Sequence, residues 1–107
     1  MLRRGSLFAA CVTLAAVAHA APPANTPKAL LTQYKCTLCH ADDVPKAGPA
    51  YKDVAAAHRR DRHAAATISA RIRRGQHGGG PWHMPPHPEL SKADADAIAR
   101  YILSLDH

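Results

Sequence analysis

The apolar residues of the chain recur at the three- and four-residue spacing that is typical of helices. Leu30, Leu31 and Tyr34 give an apolar side to the first such segment. Thr26 is a candidate N-cap that is followed by a proline, which suits the first position of a helix. The pattern therefore predicts a helix over Pro27–Cys36, or slightly beyond.

A second periodic segment follows a charged connector. Ile68 and Ile72 are four residues apart and mark the buried side of a helix predicted from about His63 to Arg74. Asp61 is a candidate N-cap for it. Gly75 stands where a glycine commonly ends a helix.

Two more helices complete the pattern. Tyr51–Ala57 is predicted to be a short helix. Ser91 is expected to be the N-cap of the last helix, which should cross the first one. The apolar stripe of that helix recurs at i, i+3, i+4 and i+7 and consists of Ile98, Tyr101, Ile102 and Leu105.

The segment between the last two helices is expected to be irregular. Gln76–Pro88 contains three consecutive glycines and four prolines, which leave no room for a helix or a strand. Loop residues also fill the stretch from Ala41 to Ala50. The predicted fold class is all-α, with about four short helices.

The start of the chain has the pattern of a secretory signal peptide. Arg3 and Arg4 precede the apolar stretch Leu7–Val17, and Ala18-His19-Ala20 has the small-x-small form of a cleavage site. The apolar stretch is shorter than the ~20 residues of a membrane-spanning helix, so no stable membrane insertion is expected. We predict a signal peptide over residues 1–20, a disordered lead-in over 21–26 and one domain over 27–107.

Removal of the leader from the 107-residue chain leaves 87 residues, too few for a large core. Of the 14 Lys and Arg, two lie in the leader, which leaves 12 against 8 Asp and Glu and a net charge of +4. This mildly basic surface favours acidic protein partners. Aromatic residues are few and no basic stripe accompanies them, so nucleic-acid binding is not expected.

The strongest chemical signal is Cys36-Thr37-Leu38-Cys39-His40, the C-x-x-C-H pattern of c-type haem attachment. Cys36 and Cys39 are one helical turn apart and can form thioethers with the two vinyl groups of a haem. His40 lies on the same face and can be the proximal iron ligand. A thioredoxin-like thiol pair or half of a zinc site are the alternatives. The first needs a βαβ context, and the second needs further ligands from the remaining histidines. A haem would also supply the core that so small a chain lacks.

Met84 is the candidate sixth ligand of the iron. It is the only methionine besides Met1, and it lies in a proline-rich loop, where a gap-filling core residue is poorly placed. A thioether favours ferrous iron and raises the reduction potential. His77, His83 and His87 flank the methionine and are competing ligands.

Arg71 has two interpretations. It belongs, with Arg73 and Arg74, to the last turn of the predicted third helix, where cations complement the helix dipole. Alternatively, Arg71 pairs with a haem propionate.

Together these motifs resemble those of the small bacterial class I mono-haem cytochromes c, over nearly all of the chain after the leader. The resemblance is carried, in chain order, by C-x-x-C-H at 36–40, Gly48-Pro49-Ala50-Tyr51-Lys52-Asp53-Val54-Ala55, Arg71-Ile72 before Gly75, Met84-Pro85-Pro86, and Ile98-Ala99-Arg100-Tyr101-Ile102-Leu103-Ser104.

The resemblance implies one covalent haem c within an all-α fold, with His40 and Met84 as axial ligands. It also implies a hydrogen bond from Nδ1–H of His40 to the carbonyl of Pro49. Family members usually have a propionate-binding Trp earlier in the methionine loop. Here that loop is one residue shorter and Trp82 lies closer to Met84, so Trp82 is a candidate for the same contact. His87 occupies a position that is commonly Asn in the family.

The family carries electrons in the periplasm, so the resemblance implies an electron carrier rather than an enzyme, acting as a monomer with redox partner proteins. Two alternatives remain open at this point: the electron-accepting subunit of a periplasmic dehydrogenase, and a haem sensor with a displaceable sixth ligand.

Overall fold

Four α-helices form the part of the chain that the computed structural model describes, which comprises Leu2 and residues 5–17, 26–77 and 83–106. In chain order they are α1 (Pro27–Gln33), α2 (Tyr51–Ala57), α3 (Ala64–Arg74) and α4 (Lys92–Leu103). A single 3₁₀ turn, Cys36–Leu38, follows α1, and two short strands, β1 (Gln76–His77) and β2 (His83–Met84), lie between α3 and α4. The all-α prediction is confirmed, with little sheet.

Helix α1 begins as predicted but ends earlier. The side chain of Thr26 accepts a hydrogen bond from the amide of Ala29 at 3.2 Å, which confirms its capping role. The helix ends at Gln33 rather than Cys36, because Lys35 adopts a left-handed backbone conformation with φ of 59°. The two motif cysteines therefore lie outside α1, in a separate turn.

Helix α3 begins one residue after the predicted start. Its N-cap residue is His63, and Asp61 is not the N-cap. A carboxylate oxygen of Asp61 instead accepts a hydrogen bond from the amide of His63 at 2.8 Å, just ahead of the helix. The end at Arg74 was predicted correctly, and Gly75 follows it with φ of 76°.

Helix α4 packs against α1, α2 and α3 and so lies at the centre of the core. The hydroxyl of Ser91 accepts from the amide of Asp94 at 3.1 Å, as expected of an N-cap. Ile98 and Ile102 are buried, whereas Tyr101 and Leu105 are half-buried at the edge of the stripe. Burial of each large aliphatic side chain contributes about 1.5–3 kcal/mol. The expected contact between the last helix and the first is present.

The segment 76–88 differs from its prediction. Gln76 pairs with Met84 and His77 with His83 in a two-stranded antiparallel ladder. The glycines and prolines did not exclude pairing, because none of these four residues is a proline and each keeps its amide donor. The ladder places Met84 on β2, and Trp82 lies outside the described residues.

Among the described residues, no helix is both long and apolar enough to cross a membrane.

Candidate haem-binding site

The motif cysteines lie in one tight turn. Cys36 and Leu38 bound the 3₁₀ segment, and the amides of Cys39 and His40 both donate to the carbonyl of Cys36, at 3.2 and 3.0 Å. Cys39 directly follows the 3₁₀ segment, and both cysteines line the same cavity. Cys36 is half-buried and Cys39 is exposed. Burial raises the pKa of the Cys36 thiol above its usual value.

The imidazole of His40 is held by a residue nine positions along the chain. Its Nδ1 lies 2.7 Å from the carbonyl oxygen of Pro49, which is the contact that the family resemblance implies. A carbonyl can only accept, so Nδ1 carries a proton, and in the neutral ring the lone pair is then on Nε2. The ring is thereby prepared to bind a metal through Nε2.

Two further residues enclose the same ring. Tyr51 stacks on His40, with ring centroids 5.1 Å apart and planes inclined by 20°. Gly48 approaches so closely that a Cβ there would lie 2.8 Å from both ring nitrogens. The amide of Gly48 donates to the carbonyl of Cys39 at 2.7 Å, which ties the loop to the motif turn. Any larger residue at position 48 would displace the ligand-bearing ring.

A cavity of about 870 Å³ opens beside the motif turn. Cys36, Cys39, His40 and Met84 all line it. The rest of the lining is mainly apolar and includes Leu31, Val54, Ile68, Ile72, Ile98 and Ile102. Both the volume and the apolar lining are typical of cofactor pockets, which span about 300–1,000 Å³.

Met84 is half-buried and packs against the hydrophobic core. Its strand pairs with Gln76, and a Cβ at Gly75 would lie 2.7 Å from the Met84 carbonyl oxygen and 2.8 Å from the nitrogen of Pro86. This close approach of two backbone segments needs a glycine, and the positive φ at Gly75 needs one as well. The backbone at Met84 is therefore held on one side by two consecutive residues, Gly75 and Gln76.

The three competing histidines are placed differently. His77 and His83 are exposed and stack on each other, with centroids 5.4 Å apart. His83 and His87 line the cavity. The Nδ1 atom of His87 is buried and has no hydrogen-bond partner among the described residues.

Comparison with known proteins identifies the family. Residues 25–106 match the family model described as Cytochrome c. This chain belongs to the cytochrome c family.

The relatives of this cytochrome c are small bacterial proteins. It is 40% identical to cytochrome c-551 of Pseudomonas aeruginosa over 82 residues, which cover 76% of this chain and 78% of that protein. It is 39% identical to cytochrome c-551 of Allochromatium vinosum, over 79% of this chain and 92% of that protein. The crystal structure of Nitrosomonas europaea cytochrome c552 superposes with a TM-score of 0.68 at 37% identity, over 72% of this chain and 96% of that one. The protein is thus a class I mono-haem cytochrome c that functions in electron transfer, with one covalently attached haem c.

The residues present in this cytochrome c fit that cofactor. The cavity is large and apolar, two thiols share one turn at its wall, and the imidazole beside them has a free nitrogen. Two buried polar atoms have no hydrogen-bond partner among the described residues, and both belong to side chains that line the cavity: the Tyr51 hydroxyl and Nδ1 of His87. Burial raises the pKa of Tyr51 well above its usual value, so its hydroxyl remains neutral.

Both propionate contacts stay predictions, and the structure describes only Arg71 of the two residues. Arg71 lines the cavity, and its Nη1 lies 3.3 Å from Nε2 of His58. Arg73, by contrast, donates to the carbonyl of Leu90 at 3.2 Å and is a structural contact. Trp82 lies outside the described residues, and its role as a propionate ligand stays a prediction.

Sequence reasoning missed His58 and the packing role of Gly48 against His40. Nothing near His58 in the chain marks it, because its partner Arg71 is 13 residues away. Gly48 was part of the family resemblance, but its proximity to the imidazole is a tertiary contact.

Proposed function

We propose that this cytochrome c is a periplasmic electron carrier in which Cys36 and Cys39 hold the haem and His40 and Met84 are the axial ligands. The observation that carries the proposal is that a single apolar cavity is lined by all four side chains. When bound, the haem supplies a reversible one-electron couple. The protein residues attach it, orient its ligands and exclude water.

His40 is suited to the proximal position. Its ring is fixed by the Pro49 carbonyl at 2.7 Å, by the stack on Tyr51 and by the close approach of Gly48. A hydrogen-bonded Nδ1–H makes Nε2 a more basic ligand and sets the ring orientation.

Met84 is suited to the sixth position. It lines the cavity from a strand held by Gln76 and Gly75, so its sulfur would keep one position in both oxidation states. A filled sixth position excludes exogenous ligands, and a thioether raises the potential. His83 and His87 line the same cavity and are the competing ligands.

The proposal is tested on the purified holoprotein by absorption spectroscopy in both oxidation states. The oxidised protein should show the weak red-edge charge-transfer band of a sulfur-to-iron bond. Met84→Ala should remove the band, because it removes the only thioether in the cavity lining of the described residues. Acid-acetone extraction should leave the haem on the protein.

Matched controls separate the candidate ligands. His83→Asn and His87→Asn should each keep the band, since each leaves the thioether in place. A band that survives in Met84→Ala would exclude Met84 as the ligand, and complete extraction of the haem by acid-acetone would exclude thioether attachment.

We further propose that residues 1–20 are a cleaved signal peptide and that 27–107 is the folded domain. In support, the hydrophobic core cluster draws no member from the described residues of the leader, and Leu7 and Phe8 are almost fully exposed. The mass of the exported protein tests this, because cleavage before Ala21 leaves 87 residues plus one haem.

The partner is proposed to present an acidic surface to a monomeric cytochrome. Leu38 and Val44 are exposed apolar side chains in and near the motif turn, at 69% and 56% of their surface. The ammonium of Lys46 lies 2.8 Å from the carbonyl of Thr37 and places positive charge on the same turn. An apolar contact with a cation beside it, on a protein of net positive charge, suits an acidic docking surface.

A further inference from the structure

Three polar side chains form a hydrogen-bonded network at a site separate from the axial ligands, and two of them line the cavity. Nδ1 of His58 lies 3.5 Å from a carboxylate oxygen of Asp61, and Nε2 of His58 lies 3.3 Å from Nη1 of Arg71. His58 is the C-cap residue of α2, whereas Arg71 lies in the last turn of α3. The histidine therefore connects two elements across a long sequence separation.

The chemistry of these groups fixes the direction of both contacts. A guanidinium can only donate and an ionised carboxylate can only accept. Nδ1–H of His58 therefore donates to Asp61, and the Nε2 lone pair accepts from Arg71. His58 is the neutral tautomer that joins the two, and its side chain is only 13% exposed.

The carboxylate at the far end is itself anchored. Its other oxygen accepts from the amide of His63 at 2.8 Å. That hydrogen bond, followed by the contact with His58, lowers the pKa of Asp61, so the carboxylate is ionised at neutral pH. A fixed acceptor thus determines how the imidazole presents Nε2.

At the other end of this hydrogen-bonded network, Arg71 lies at the cavity. Arg71 and His58 both line it, whereas Asp61 does not. A guanidinium has five N–H donors, and His58 accepts from one, so donors remain for an anion in the cavity. The anionic groups of a bound haem are its propionates, and a guanidinium binds a carboxylate in a planar, two-point arrangement.

We propose that His58 is a positioning residue, oriented by Asp61, that holds the Arg71 guanidinium at the cavity to bind a haem propionate. The inference rests on the proposed function, since it requires the haem in this cavity. The Arg71–propionate contact is already an interpretation of the sequence, and the new inference is that His58 and Asp61 orient Arg71 for it.

The measurable consequence is the reduction potential. Oxidised haem carries one more positive charge than reduced haem. A propionate charge that no cation compensates therefore stabilises the oxidised form and lowers the potential. Loss of Arg71, or of its correct orientation, should lower the potential without changing the axial ligands.

The test is a double-mutant cycle on the holoprotein at fixed pH and ionic strength. Arg71→Leu should lower the midpoint potential. His58→Leu should lower it by a part of that shift. His58→Leu should have no further effect when Arg71→Leu is already present. His58→Gln should restore most of the potential, because the glutamine amide oxygen can replace Nε2 as the acceptor.

The matched control is His63→Leu, which removes an exposed imidazole but keeps the backbone amide that donates to Asp61, and it should leave the potential unchanged. If His58→Leu shifts the potential equally in the Arg71→Leu background, the histidine does not act through Arg71 and the proposal is wrong. An unchanged potential in Arg71→Leu also overturns it. In both cases an intact red-edge band and a covalently held haem would show that the electron-carrier assignment stands.

Discussion

Replacement of Gly48 by alanine should displace the His40 imidazole. The added Cβ would lie closest to Cε1 of the ring and 2.8 Å from both Nδ1 and Nε2, whereas ordinary van der Waals contact begins at 3.4 Å. Relief of the contacts with the two nitrogens alone requires a shift of 0.6 Å, and relief of the closer contact with Cε1 requires a larger one. Tyr51 stacks on the same ring at a centroid distance of 5.1 Å and restricts where it can go.

Two effects contribute to the loss of stability that is expected in Gly48→Ala. Overpacking a closed site costs typically about 1–3 kcal/mol. A 0.6 Å displacement can stretch the 2.7 Å contact from His40 to Pro49 to the limit of hydrogen bonding. Loss of this hydrogen bond lowers the free energy of unfolding by about 1 kcal/mol. Together these two effects should lower the free energy of unfolding by at least about 2 kcal/mol. For a domain of this size, that corresponds to a fall in Tm of roughly 8–16 °C.

The assay is thermal unfolding of the oxidised holoprotein together with its midpoint potential. The potential of Gly48→Ala should rise, because a weaker Nδ1–H contact makes the imidazole a poorer donor to ferric iron. The red-edge band should remain, since Met84 is untouched. Unchanged Tm and potential in Gly48→Ala would refute the argument that this glycine positions His40.

Gly75→Ala is the matched comparison on the other axial side. Its Cβ would meet the Met84 carbonyl at 2.7 Å and the backbone has φ of 76°, so the strain falls on the methionine strand. This variant should weaken the red-edge band, unlike Gly48→Ala. Identical spectra for the two variants would show that the glycines do not act on separate ligands.

Two further predictions concern the surface and the α4 contact. Tyr101 donates to Asp42 at 2.7 Å, so Tyr101→Phe should lower the free energy of unfolding by about 1 kcal/mol in denaturant titrations at neutral pH. Burial, followed by the hydrogen bond to Asp42, raises the pKa of Tyr101 from 10.0 to about 12. The difference in stability between wild type and Tyr101→Phe should therefore be constant below pH 10 and vanish as pH rises through 12. A difference that does not change with pH would contradict the role of the hydroxyl. Electron transfer to an acidic partner should slow as ionic strength rises, measured by stopped flow, because screening weakens attraction to the net charge of +4 that the proposed leader cleavage would leave. A rate independent of salt would indicate a purely apolar contact.

The features that the sequence predicted correctly depend on residues close together in the chain. Thr26 and Ser91 bond to amides three residues away, and the Ile68–Ile72 and Ile98–Ile102 pairs are set by the helical period. The spacing of Cys36, Cys39 and His40 likewise carries its chemistry within five residues. Such features need no knowledge of the packing.

Backbone geometry within loops was predicted less well. Lys35 ends α1 early by adopting a conformation that side-chain type does not favour, and the β1–β2 ladder forms between segments that glycine and proline content had marked as irregular. For the ladder, composition describes what each segment can adopt, whereas pairing with the other segment selects the conformation.

The geometry of the site was decided by tertiary structure alone. Gly48 meets the ring of His40, Gly75 meets the backbone of Met84, and His58 meets Arg71, all across turns or between helices. Residue types and short spacings in the sequence were enough to predict the four helices and the haem-attachment motif, and the family resemblance added the cofactor and the ligand pair. Which side chains orient those ligands depends on how the helices pack, and short-range patterns carry no information about distances between residues on different elements.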